Sequence, residues 1–160
     1  MSAKTCLTVS ALSGFLAVFL GAFGAHGLGD SGFLERKYAD MDAKSIAGME
    51  LPAAYKYLQD FNTGVRYHMW HSLALMGIGL AMLKTRSKLL SAAAWCFLAG
   101  IVLFSGSLYV LVICGPSFGG IKWGLVAPIG GTLQLVGWLL MATAFARLKP
   151  EVSHATDDRQ

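Results

Sequence analysis

The chain has 160 residues, of which 55% are hydrophobic and only 14% charged, whereas soluble domains carry about a quarter charged residues. This composition excludes an ordinary water-soluble domain, and the length leaves no room for one beside several membrane spans. The formal net charge of +4 comes from scattered Lys and Arg while the aromatics lie in apolar runs, so no basic face tracks phosphates and nucleic acid is not an expected partner.

Lys4 stands in a short start, and Leu7 to Leu28 follows with no formal charge apart from what His26 carries. A span needs roughly 20 such residues and the apolar part of a signal peptide about 7 to 15, so an uncleaved first helix over 7–28 is expected. Ser10, Gly14, Ala17, Gly21 and Ala25 repeat at a helical spacing that lets another helix come close. Gly29 to Val65 is the long polar stretch and reads as a water-exposed loop, 29–66. In its second half Pro52 suits a first helical turn, and Ala54, Leu58, Phe61 and Val65 recur at helical spacing. An amphipathic helix over about 52–64 is expected there, lying on the membrane surface or running into the next span, with Gly64 as the place for a bend.

The second span, 67–83, is at the short end of the spanning range and opens on Tyr67, His68, Met69, Trp70, His71 and Ser72. Lys84, Arg86 and Lys88 then crowd a tight turn. The third span falls within 90–114, Pro116, Gly119 and Gly120 mark the next turn, and the fourth span, 125–147, carries Pro128, Gly130 and Gly131 near its start. A polar tail, 150–160, is expected to be disordered. The fold expected is therefore all-α: one domain over 1–149, an integral membrane four-helix bundle with an amphipathic helix in its first loop. Four spans put both termini and the Lys84–Lys88 turn on one side, and basic residues pressed against span ends place that side in the cytoplasm. Cys6, Cys96 and Cys114 form no C-x-x-C pair and read as small apolar residues.

This topology gathers His26, His68, His71, Ser105, Ser107 and Tyr109 in the outer half. His68 and His71 lie about 60° apart on one helix face. Neutral imidazoles bind zinc, copper or haem iron, so these two with His26 are the candidate metal or haem ligands. The competing reading is structural, because an amphipathic ring at headgroup depth is already satisfied, and no Asp or Glu lies in any span to act as a base. Tyr67, Trp70, Tyr109 and Trp123 fit an interfacial belt. Ser105 and Ser107 fit hydrogen bonding between helices, and Arg66 fits a snorkelling cation paired with a loop carboxylate or a lipid phosphate. Pro128 with Gly130 and Gly131 makes either a plain helix start or the unwound segment of a transporter.

Four stretches in order, GAFGAHGL at Gly21 to Leu28, TGVRYHMWHSLAL at Thr63 to Leu75, LFSGSLYVL at Leu103 to Leu111 and APIGGTLQLVGW at Ala127 to Trp138, resemble the YgdD-like family of small four-span inner-membrane proteins of unknown function. The likeness covers nearly the whole chain except the loop from Gly29 to Asp60 and the tail. It implies a multi-pass protein of the bacterial plasma membrane and brings no activity, cofactor or catalytic residue. Three functions are therefore expected in this order: a non-enzymatic role in interaction, assembly or envelope maintenance, with a second copy or another membrane protein as partner; histidine-based metal or haem binding; and small-molecule or ion transport.

Overall fold

The computed structural model describes residues 1–148, so the expected disordered tail lies outside the described residues. Helix α1 spans Ala3–Ala22, capped by the Ser2 hydroxyl, and continues as a π-helical stretch over Phe23–Gly29. Helix α2 is short, Phe33–Lys37, and strands β1 (Lys44–Ile46) and β2 (Met49–Leu51) pair antiparallel. Helix α3 runs from Ala53 to Lys84, α4 from Lys88 to Gly100, and α5 from Gly106 to Ile113, with α4 and α5 fused through a π stretch over Ile101–Ser105. Helix α6 covers Ala127–Ala146.

Among the described residues three helical segments are long and apolar enough to cross a membrane: Ala3–Gly29, Lys88–Ile113 and Trp123–Ala146. Helix α3 is the less apolar rod, because Tyr67, His68, Trp70 and His71 interrupt it. The amphipathic stretch and the second apolar stretch are one continuous helix of 32 residues, about 48 Å long at 1.5 Å per residue. Gly64 does not bend it. A Cβ there would stand 2.9 Å from the Tyr109 ring, so the glycine serves close approach to α5 rather than a hinge.

The packing is a row. Helix α1 lies on α3, α3 also lies on the α4–α5 rod, and α4 with its π stretch lies on α6. The α1 face that meets α3 uses Cys6, Ser10, Ala17 and Gly24, all buried, while Gly14 has open space at its Cβ position and Ala25 is exposed. The small-residue face expected from the sequence is met in part: Ser10 and Ala17 are buried and the Gly21 Cβ position is 3.4 Å from the Val65 side chain of α3, while Gly14 and Ala25 fall outside the contact. Cys114, expected to be tucked among apolar residues, is exposed at the end of α5, whereas Cys6 is fully buried.

Two apolar clusters form. One joins Cys6, Leu75, Ile78, Leu90, Phe97 and Ala144; the other joins Leu28, Leu34, Tyr38, Tyr57, Phe61 and Val112. The loop contributes to the second. Tyr38 stacks on Tyr57 at 4.1 Å between ring centres and donates its hydroxyl to the Val112 carbonyl at 2.9 Å. That oxygen belongs to the last turn of α5, where carbonyls lack helical partners. Burial, then the neighbouring Tyr57 and Cys114, push the Tyr38 hydroxyl up to about 12. The sequence shows only a polar loop here, because strands of three residues and a helix of five are too short to print a period.

Candidate functional site

Between the two apolar clusters lies a layer of polar side chains, buried at its centre and reaching the surface at Trp138. Helix α3 brings His68, His71 and Ser72, all at most 4% exposed. Ser13 comes from α1, Tyr109 from α5, and Gln134 and Trp138 from α6.

The layer has two halves, because the two histidines face different neighbours. On the α1 side, the Ser72 hydroxyl donates to the carbonyl of His68 at 2.8 Å. Ser13 then donates to Ser72 at 2.7 Å, and His68 Nε2–H donates to Ser13 at 3.0 Å. The Tyr109 hydroxyl donates to His68 Nδ1 at 3.2 Å. This donor assignment satisfies every group with one neutral tautomer of His68. On the α6 side, a backbone carbonyl can only accept, so His71 donates from Nδ1 to the oxygen of Tyr67 at 2.7 Å. Its Nε2 accepts the indole N–H of Trp138 at 3.2 Å. Both imidazoles are therefore oriented and occupied at both nitrogens, and the indole N–H donated to Nε2 requires His71 to be neutral.

His26 is not with them. It sits on the π stretch after α1, its side chain 82% exposed, with Nδ1 2.9 Å from Asp30 Oδ2. Among the described residues no group of three or more His, Cys, Asp or Glu side chains is placed to hold a metal ion, and the lone pairs a metal or haem iron needs at His68 and His71 are engaged by Tyr109 and Trp138. The expected convergence of the three imidazoles fails because a rim position and two inward positions on different helices share depth but not direction.

The remaining expected residues divide between packing and surface. Ser107 is buried and donates back to the Phe104 carbonyl at 2.9 Å within its own rod, so it does not bridge helices. Ser105 is fully buried and, among the described residues, its hydroxyl has no hydrogen-bond partner. Arg66 is exposed. Pro128 occupies the first turn of α6 and Gly130 and Gly131 continue it as regular helix, the plain helix start of the two alternatives. Gly130 also brings α6 hard against the other rod, since its Cβ position is 2.3 Å from the Phe104 backbone nitrogen.

A groove of about 480 Å³ opens between α3 and α6, lined by Tyr67, Trp70, Phe104, Gly131, Gln134 and Trp138. Tyr67 forms its aromatic hinge, with ring centres 5.1 Å from Trp70, 4.9 Å from Phe104 and 6.0 Å from His71. A second groove, about 430 Å³, opens on the other side of α3 and reaches Ser13, His68 and Tyr109. Ser13, Gln134 and Trp138 were not singled out from the sequence. For Gln134 a signal existed, because an amide in the middle of an apolar run faces other helices rather than lipid; the role of Trp138 depends on which helix lies opposite.

Comparison with known proteins adds the lineage. A family model described as "Protein of unknown function (DUF423)" matches residues 20–131. The UPF0382 membrane protein YwdK of Bacillus subtilis is 37% identical over 142 residues, covering 88% of this chain and 95% of that protein. A UPF0382 membrane protein of Haemophilus influenzae is 38% identical over 137 residues, 85% of this chain and 89% of that one. The UPF0382 inner membrane protein YgdD of Escherichia coli is 35% identical over 155 residues, 96% of this chain and 99% of that one. No solved structure matches.

Proposed function

The chain belongs to this DUF423 family of membrane proteins of unknown function, and from that membership we propose a four-crossing protein of the plasma membrane with a non-enzymatic role in interaction, assembly or envelope maintenance. The fourth crossing is α3. Its exposed stripe runs Arg66, Tyr67, Trp70, Leu73, Gly77, Leu80, Leu83 and Lys84, apolar between two cations. Arg66 to Lys84 spans about 27 Å, close to the roughly 30 Å hydrocarbon core, and both cations can snorkel to headgroups. His68, His71 and Ser72, which lower the hydropathy of α3, all point to other helices. With α3 crossing, the turn bearing Arg86 and Lys88 lies beside the start of α1, where the amino terminus donates to Ser91 at 2.6 Å. Basic charge at that end favours placing it, and both termini, in the cytoplasm.

The observation that carries the non-enzymatic reading is the closed hydrogen bonding of the layer. All four imidazole nitrogens of His68 and His71 are used by the protein's own groups. The long helices carry a single carboxylate, Asp60, which lies near the start of α3 and pairs with Lys56. A layer so arranged fixes the rotation of α1, α5 and α6 about α3 and holds no carboxylate to take up a proton. Reconstitution tests this. Vesicles holding the purified protein are expected to keep a proton gradient as long as empty vesicles do, and crosslinking in native membranes is expected to hold the chain in a complex larger than one copy. A saturable flux or turnover that is lost in His68→Phe contradicts the reading.

A further inference from the structure

At the end of the molecule opposite the long loop, a cleft of about 710 Å³ lies between the start of α1 and the turn that joins α3 to α4. Its walls include Ser2, Met82, Arg86, Ser87, Lys88 and Ser91. The polar side chains there are left with protons to give. Ser91 Oγ accepts from the Met1 nitrogen at 2.6 Å, and Ser87 Oγ accepts from the Leu90 amide at 3.4 Å as the N-cap of α4, so each hydroxyl keeps its own proton for a further partner. The two cations have no counter-ion from the described residues. Every Asp and Glu among those residues falls between Asp30 and Asp60, and Asp60 is about 36 Å from Lys84 along α3, far past the roughly 10 Å over which exposed charges act in salt.

We propose that this cleft binds the headgroup of an anionic phospholipid, its phosphate oxygens accepting from Arg86, Lys88 and the hydroxyls of Ser87 and Ser91. The class follows from the donor lining. A phosphodiester brings a full negative charge and oxygens that only accept, which matches two cations and two hydroxyl protons. A zwitterionic headgroup would add an ammonium, and no carboxylate lines the cleft to receive it. Lipid rather than a free anion is the source, because Met82 gives the cleft an apolar wall and the crossing helices end there, at headgroup depth. Lys84 and Arg147 are exposed at the same end but stand outside the cleft, so they separate a built site from a merely basic surface. The cleft meets headgroups only if α3 crosses the membrane as proposed above, and labelling at position 86 decides that without reference to lipid.

The test uses the full chain in detergent micelles, titrated with phosphatidylglycerol or with phosphatidylethanolamine of the same acyl chains and read by native mass spectrometry. The expected result is saturable retention of one phosphatidylglycerol per chain, about tenfold tighter than phosphatidylethanolamine, and weakened about tenfold or more when Arg86→Gln and Lys88→Gln are combined. Combining Lys84→Gln with Arg147→Gln removes the same charge outside the cleft and is expected to leave retention as in the parent. Ser91→Leu keeps every charge but fills the cleft, and is expected to abolish retention. Circular dichroism and size-exclusion profiles matching the parent show that each variant folds; Arg86 and Lys88 are exposed, so that double variant decides alone if Ser91→Leu does not fold. Equal loss in the two double variants makes the preference one of general surface charge and overturns the proposal, as does equal retention of the two lipids. Release of phosphatidylglycerol by millimolar inorganic phosphate at constant ionic strength assigns the cleft to a free anion and overturns it too.

Discussion

Gly130 and Gly131 are neighbours on α6 with opposite surroundings, and replacing each by alanine separates packing from helix propensity. At Gly130 a Cβ would sit 2.3 Å from the Phe104 nitrogen and 2.8 Å from both the Leu103 carbonyl carbon and the Phe104 Cα. All three are backbone atoms inside the π stretch and cannot rotate away. Restoring an ordinary contact requires α6 and the α4–α5 rod to part by roughly 1 Å, a gap that forfeits a quarter to a half of each dispersion contact along the crossing. Overpacking of this kind costs about 3 kcal/mol. At Gly131 the nearest atom is a Phe104 ring carbon at 3.7 Å, so alanine fits, and the loss of a helical glycine stabilises by about 0.5 to 1 kcal/mol. The two variants should therefore differ by roughly 3.5 kcal/mol in opposite directions from the parent, measured by reversible SDS-induced unfolding in mixed micelles. If Gly130→Ala proves as stable as Gly131→Ala, the close crossing of these rods is wrong, and with it the placing of Gln134 and Trp138.

Tyr109→Phe keeps its ring contact with Phe61 but strips His68 Nδ1 of its donor, and should cost about 0.6 to 1.7 kcal/mol by the same unfolding assay. Ser13→Ala acts on the other nitrogen of that imidazole, so the double variant should be non-additive; strict additivity would dissolve the proposed chain of hydrogen bonds. Gln134→Leu should stabilise the protein by about 1 kcal/mol, since it removes a buried amide nitrogen with no hydrogen-bond partner among the described residues. Tyr38 titrates from an ordinary value of 10 up to about 12 when the loop is docked. Its contribution is thus complete below pH 10 and is lost as pH rises toward 12. Protease cleavage of the loop between Asp40 and Pro52 should accelerate in that window, and Tyr38→Phe should remove the step.

The three most apolar rods were legible because lipid demands long uncharged runs, and the turn at Lys84 to Lys88 was legible because charge ends a span. The inward pointing of His68 and His71 could be read from their shared face. Their separation could not: a 60° offset on α3 is enough to send one ring to Ser13 and Tyr109 and the other to Trp138, and only the positions of α1, α5 and α6 decide which. His26 looked equivalent to them because sequence gives depth along a helix but not rotation about it, and the π stretch over Phe23–Gly29 changes that rotation without any sequence mark. The use of Ser13 rather than its neighbour Gly14 on the α1 contact face has the same origin. Tyr38 was invisible for a different reason, since its partner carbonyl belongs to a backbone group and carries no residue identity.

The account depends most on α3 crossing the membrane with its polar face turned inward, and site-directed labelling reads this directly. In a chain with Cys6, Cys96 and Cys114 replaced by serine, cysteine is introduced at exposed Ser45 in the loop or at exposed Arg86 beyond the end of α3, and intact cells are treated with a membrane-impermeant maleimide. Four crossings predict that position 45 labels in intact cells and position 86 only after the membrane is opened. Labelling of both positions from the same side would contradict the account.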